Sequence, residues 1–129
     1  MVNLQDYRIK IFTRSMNYEL YCYSQHLITL PFERIRLTNT TADGYLYNIM
    51  EWDDCDIAIN IDEDAFVLDE KIILDLVEYV IDNDYANAGM ADGCEVSIRR
   101  QNPIVTNPFF NVFNLKLIRT KYNKTAITE

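Results

Sequence analysis

The feature that most constrains the fold is an apolar segment that ends in acids and is followed by a helical stripe. Residues 55–61 (CDIAINI) alternate isoleucine with small or polar residues, and Asp62-Glu63-Asp64 follows them directly. Residues 69–81 carry apolar side chains at helical spacing, and Asp69 is placed to cap the first turn. This order predicts a strand, an acidic turn at its carboxyl end, and a helix that packs back onto the sheet.

Other segments continue the alternation of strands and helices. Further strands are predicted over residues 8–13, 34–38 and 86–90. Further helices are predicted over residues 18–30, before Pro31, and from a cap at Thr40, Thr41 or Asp43 through Trp52. The alternation predicts an α/β fold with a mostly parallel sheet.

The last third of the chain is less regular. It carries an aromatic cluster, Phe109, Phe110 and Phe113, and a short helix is indicated only near residues 115–122. Three phenylalanines of this kind serve either as core packing, which the sequence favours, or as a sugar-stacking platform.

Composition sets bounds on size and partners. A chain of 129 residues with 49% hydrophobic content predicts a single domain with one core. Twenty acidic against twelve basic side chains give a net charge of -8, which excludes nucleic acid as an expected partner because its phosphates would be repelled. A divalent cation would let such a surface hold a phosphate-bearing small molecule.

The spacing of the cysteines and the hydropathy of the chain indicate where in the cell the protein is expected. Cys22, Cys55 and Cys94 are widely spaced and lack the pairing of a zinc site, so we expect reduced thiols in the cytoplasm. The first residues carry no secretory signal, and no run of eighteen apolar residues predicts a transmembrane segment. Peripheral association with a membrane stays open.

The acidic turn predicts a metal site. Open α/β sheets bind ligands beyond the carboxyl ends of their strands. There Asp62 and Asp64, one residue apart, can turn towards one Mg²⁺ or Mn²⁺ ion, and diphosphate oxygens and water complete its coordination. The alternative is a solvated acidic turn without a ligand, since Asp53, Asp54 and Asp56 make the whole region acidic.

The same residues carry a family resemblance. Residues 43–80, DGYLYNIMEWDDCDIAINIDEDAFVLDEKIILDLVEYV, resemble the part of GT-A glycosyltransferases in which Gly and Asn on a helix precede an apolar strand that ends in D-x-D. The resemblance extends over residues 8–95. It implies a Rossmann-like three-layer α/β/α sandwich of the GT-A type, or only its donor-binding part. It also implies transfer of a sugar from a nucleoside-diphosphate donor to a hydroxyl acceptor, as in bacterial surface polysaccharide synthesis.

The resemblance also implies roles for individual residues. Asp62 and Asp64 match the two motif acids that hold Mn²⁺ or Mg²⁺, with Asp64 as the more direct ligand. Independently of the resemblance, Asp92 is the candidate base that would act on the acceptor hydroxyl, because it is the only acid in residues 89–93 (GMADG). The residues expected to bind the nucleotide sugar are Thr13, Arg14, Asp43, Asn48, Asp62 and Glu63.

Two departures leave alternatives open. Many family members end the second strand with an acidic pair, where this chain has residues 38–41 (TNTT), and the family builds both of its sites from a longer chain. The chain is therefore either a fragment of a longer enzyme, a competent enzyme, or a binding module without turnover. A haloacid-dehalogenase-like phosphatase also places D-x-D after an apolar strand, but its motif continues with Thr or Val where this chain has Phe66.

Overall fold

A computed structural model describes residues 2–41, 44–91, 106–123 and 125. Its strands are β1 (Ile9–Arg14), β2 (Glu33–Leu37), β3 (Ile57–Ile61), β4 (Asn87–Ala91) and β5 (Thr106–Asn114). Its α-helices are α1 (Tyr18–His26), α2 (Gly44–Met50), α3 (Glu70–Asp82) and α4 (Leu115–Ile118), and a short 3-10 turn spans Leu4–Asp6.

The strands form one mixed sheet in the order β2-β1-β3-β5-β4. The strand β1 pairs in parallel with β2 and β3, whereas β5 runs antiparallel to both β3 and β4. The expected α/β class is confirmed. The expectation of a mostly parallel sheet holds for β1, β2 and β3 and fails at β5, which runs opposite to the other strands.

The centre of the sheet is covered on both faces, and β3 is buried at every position. The isoleucines of β3 pack with Ile73, Val77 and Val80 of α3, on what we call the α3 face. Ala58 packs with Tyr45 and Ile49 of α2, on the α2 face. Burial on both faces explains why β3 reads as an almost continuous apolar segment.

Side chains cap the first turns of α3 and α1, and only the cap of α3 was predicted from the sequence. The Asp69 side chain accepts the backbone N–H of Lys71 and caps α3, as predicted. Asn17 likewise caps α1 by accepting the N–H of Leu20. Helix α1 ends at His26 rather than continuing to residue 30, because Ile28 and Leu30 leave the helix to fill the core on the α3 face.

The last third of the chain contains a strand that the sequence did not predict. Phe109, Phe110 and Phe113 lie in β5 and pack against the two core clusters, so the packing interpretation of these rings is confirmed. None of the helices in the described ranges is long and apolar enough to cross a bilayer.

Candidate metal and phosphate site

The predicted acids lie at the carboxyl edge of the three parallel strands. Arg14 ends β1, and Asp62 follows β3 directly. In the parallel register Phe12 is the partner of Asn60, so Arg14 and Asp62 stand at matching positions two residues further along. The fold therefore brings a cationic and an anionic side chain together at this edge of the sheet.

Asp62 is held in a tight turn and is partly buried. Its backbone N–H donates to the Phe109 carbonyl at 2.9 Å, and its carbonyl accepts the N–H of Ala65 at 3.0 Å. Its Oδ1 accepts the backbone N–H of Glu63 at 3.0 Å. Burial raises the pKa of the Asp62 carboxyl, the amide of Glu63 opposes this shift, and the charges of Asp64 and Arg14 act in opposite directions. The carboxylate is thus desolvated without a full complement of compensating charge.

Asp64 is exposed and close enough to Asp62 for their charges to repel. The described part of the chain contains no group of three or more His, Cys, Asp or Glu side chains arranged to hold a metal ion. Two carboxylates without a third protein ligand do not make a zinc or calcium cage. They do fit Mg²⁺ or Mn²⁺, which bind proteins through one or two carboxylates together with substrate phosphates and water.

The side chain of Glu63, the middle residue of the motif, contacts the start of α1. One oxygen, Oε2, accepts the backbone N–H groups of Met16 and Asn17, both at 3.1 Å. These amides precede the first turn of α1, where unpaired N–H groups and the helix dipole favour an anion. The structure therefore gives the Glu63 carboxylate two partners from the protein itself.

The two residues predicted at the end of β1 differ in surroundings. Thr13 is buried, and its hydroxyl accepts a hydrogen bond from Gln25 Nε2 at 3.3 Å. Arg14 is partly exposed, and its buried Nε has no hydrogen-bond partner among the described residues. A guanidinium N–H that is desolvated and unpaired is costly unless a ligand supplies an acceptor. Arg14 is thus the better placed of the two to contact an anion.

A cationic and aromatic cluster beside this edge was not predicted. The Arg36 guanidinium lies over the rings of Tyr18 and Tyr21, at 5.0 and 5.5 Å from their centroids. Its buried Nε also lacks a hydrogen-bond partner among the described residues. The signal in the sequence is the alternation ERIRL, which directs Arg34 and Arg36 to one face of β2, the face that α1 covers.

A row of three asparagines crosses the sheet through β3, β5 and β4, with Asn60 and Asn111 buried and Asn87 partly buried. Asn60 is the register partner of Asn111, and Asn87 Nδ2 donates to Asn111 Oδ1 at 3.2 Å. A Cβ on Gly89 would lie 2.4 Å from the Phe110 carbonyl oxygen and 2.6 Å from that same Oδ1, so the close approach of β4 to β5 requires glycine there. Sequence analysis missed this row because the pairing of β3 with β5 was not predicted.

The remaining predicted residues are not all placed. Asn48 is exposed on α2, and its amide Nδ2 contacts the Gly44 carbonyl at 3.4 Å. Asp43 and Asp92 lie outside the described residues. The structure thus brings Thr13, Arg14, Asp62, Glu63 and Asp64 to one edge of the sheet.

Two surface cavities lie at the opposite edge, where β4 begins and β5 ends. The larger, about 480 Å³, is lined by residues that include Tyr85, Ile118 and Lys121. The smaller, about 320 Å³, is lined by residues that include Tyr7 and Lys116. Neither contains any predicted site residue.

Compared with models of protein families and with curated proteins, the sequence matches none.

Proposed function

We propose that the chain binds a nucleoside-diphosphate sugar through Mn²⁺ or Mg²⁺ at Asp62 and Asp64, and transfers the sugar to a hydroxyl acceptor as a GT-A type glycosyltransferase. One observation carries the proposal. A fully buried strand that pairs in parallel with β1 delivers two carboxylates to the carboxyl edge of the sheet, next to an arginine whose buried Nε–H has no hydrogen-bond partner among the described residues. Ligands of open α/β sheets bind at that edge.

The residues divide the binding of a diphosphate between them. Asp62 is desolvated and repelled by Asp64, so a divalent cation would relieve both costs and join the two carboxylates to the phosphate oxygens. When bound, the cation stabilises the negative charge that develops on the departing nucleoside diphosphate. Arg14 can donate to a phosphate oxygen on the same side of the turn.

The proposal is tested by metal-dependent stabilisation. A ligand that binds only the folded state raises the melting temperature by mass action. We expect nucleoside diphosphates to raise Tm in the presence of Mn²⁺ and not in its absence. A panel of nucleoside diphosphates, each measured by thermal shift with Mn²⁺ and with EDTA, makes this comparison.

A pair of variants localises the effect. Asp64→Ala removes an exposed carboxylate, so the protein should fold with an unchanged Tm and lose the metal-dependent increase. Asp82→Ala removes an equally exposed acid at the end of α3 and should keep the increase. Equal nucleotide affinity in Asp64→Ala and the wild type would refute the site.

A second candidate is a nucleotide-sugar-binding module without turnover. The observation that favours it is that none of the three acids after β3 is free to act as a base. Asp62 and Asp64 are assigned to the cation, and the carboxylate of Glu63 is bound to the start of α1. A base for the acceptor would then have to come from elsewhere, such as Asp92. Metal-dependent binding without release of sugar would favour this module.

A further inference from the structure

Glu63 makes contacts on both sides of the proposed site. Its carboxylate accepts the N–H groups of Met16 and Asn17, in the loop that follows β1. Its own backbone N–H donates to Oδ1 of Asp62, in the turn that follows β3. A single residue thus connects the start of α1 to the carboxylate of the first motif acid.

We propose that Glu63 is a positioning residue, which fixes the loop after β1 and the turn after β3 in one arrangement and does not itself contact the nucleotide sugar. The inference rests on the proposed function, because the two segments that it joins carry Arg14 on one side and the cation ligands on the other. It assigns the middle residue of the motif a role distinct from that of its neighbours.

The chemistry of the contact favours an anion of this length. Both amides bind the same oxygen, and charge-assisted hydrogen bonds are about twice as strong as neutral ones. The nine residues of α1 add the positive end of a helix dipole to the attraction. A glutamine retains the shape and one acceptor oxygen but loses the charge, whereas an alanine loses the contact.

Glu70, the first residue of α3, is a matched control. The Glu70 Oε1 accepts the backbone N–H of Thr29 at 2.7 Å and the Thr29 hydroxyl at 2.9 Å. It therefore also joins the segment around α1 to α3 through one carboxylate oxygen, but it does not contact the turn that holds Asp62 and Asp64. Loss of Glu70 should destabilise the protein without disturbing the site.

The test measures Tm and the affinity for a nucleoside diphosphate with Mn²⁺ in three variants. Glu63→Ala should weaken nucleotide binding about tenfold, because the site loses the stabilisation of about one charge-assisted hydrogen bond that holds its two segments together. Glu63→Gln should recover most of that affinity. Glu70→Ala should lower Tm about as much as Glu63→Ala does, and it should leave the affinity for the nucleotide unchanged. Equal affinity in Glu63→Ala and wild type, or an equal loss in Glu70→Ala, would overturn the inference.

A measurement without ligand separates the inference from the proposed function. Amide hydrogen exchange in the free protein reports local opening at residues 62–65 and 16–20. Glu63→Ala should accelerate exchange in both segments together, whereas Glu70→Ala should not. Unchanged exchange at residues 62–65 in Glu63→Ala would overturn the positioning role. Failure of the wild type to bind any nucleotide would instead refute the proposed function, and the exchange result would still decide the role of Glu63.

Discussion

At the scale of single residues, the partial burial of the Asp62 carboxylate lowers the stability of the folded protein. Burial raises the pKa of its carboxyl, which means that the folded state disfavours the charged form relative to the unfolded chain. The sign follows from linkage: the cost is absent below the unfolded pKa and complete once pH exceeds the raised folded pKa. At neutral pH the charged side chain therefore lowers the stability of the folded state.

Asp62→Asn should therefore stabilise the protein in the absence of metal. The amide keeps an oxygen to accept the N–H of Glu63, and it removes the desolvated charge. We expect Tm to rise by about 2 °C at pH 7 in EDTA and the metal-dependent increase with nucleotide to disappear. Thermal unfolding of both proteins with EDTA and with Mn²⁺ plus nucleotide measures both effects. A lower Tm in EDTA would contradict the account of Asp62 burial.

The described cysteines should differ strongly in reactivity. Cys22 is exposed on α1, whereas Cys55 is buried and its pKa is raised to about 11 by that burial. Because the thiolate is the reactive form, iodoacetamide at pH 8 should modify Cys55 on the order of a hundredfold more slowly than Cys22. Peptide mass spectrometry of a labelling time course measures the two rates separately. Similar labelling rates for Cys22 and Cys55 in the native protein, with no increase in the Cys55 rate on unfolding in urea, would contradict the burial of Cys55.

At the scale of elements, α4 is fastened to the segment between α2 and β3 by one side chain. Arg119 donates to the Cys55 carbonyl at 2.6 Å and to the Met50 carbonyl at 3.4 Å, and it also binds the Trp52 carbonyl. A planar guanidinium can reach three such acceptors at once, whereas a lysine ammonium presents a single point of contact. This arginine fixes the end of the chain after β5 to the α2 face.

Arg119→Lys should therefore be destabilising although it keeps the charge. Loss of two charge-assisted hydrogen bonds to carbonyls, left partly buried, should cost about 2–3 kcal/mol. Urea denaturation gives the free energy of unfolding, and Lys121→Arg, at an exposed position two residues later, is a control expected to change it little. A loss below about 0.5 kcal/mol in Arg119→Lys would show that these carbonyls find other partners.

At the amino edge of the sheet the pKa of an acid is lowered by a paired cation, whereas at the carboxyl edge the pKa of Asp62 is raised by burial. The Arg8 guanidinium bonds Asp56 at 3.0 Å and Asp54 at 3.1 Å, and it lowers the pKa of Asp56. An acid whose folded pKa lies below its unfolded value of 3.8 contributes stability above that value. The contribution is lost as pH falls through the folded pKa.

Asp56→Asn should accordingly lower stability at pH 7 and have less effect in acid. The Asp56 side chain is 16% exposed and that of Arg8 is 54% exposed, so solvent screens the pair and the loss of stability at neutral pH should be small but measurable. Urea unfolding at pH 7 and at several values below 3.8 compares the variant with the wild type. A difference in the free energy of unfolding that stayed constant on acidification would exclude the charge of Asp56 as its source.

The sequence predicts elements well where one pattern dominates. Helix α3 and its Asp69 cap follow from the apolar stripe, and β3 follows from its alternating isoleucines. Strand β5 was missed because its sequence, TNPFFNVFN, carries asparagines and a proline that are rare in strands. Its pairing with β4 shifts register between Gly89 and Ala91, and partners on both sides override its weak local preference.

At the scale of the whole molecule, the sequence predicts only those parts of the site that follow from the order of the strands along the chain. The end of β3 places Asp62 and Asp64, and the end of β1 places Arg14, because parallel strands finish at one edge. The contact of Glu63 with Asn17 joins residues that are 46 positions apart in the sequence, and no local sequence pattern predicts it. The pairing of Arg36 with Tyr18 and Tyr21 depends in the same way on how α1 packs over β2.

The position of β5 between β3 and β4 also has a consequence for the synthesis of the chain. During synthesis β3 emerges long before residues 106–114, yet one of its two hydrogen-bonding sides is completed only by that last strand. Until then the ribosome-bound chain presents an apolar strand with an unsatisfied backbone, the kind of surface that recruits other strands. The acids at its carboxyl end would keep nascent copies apart by mutual repulsion during that interval.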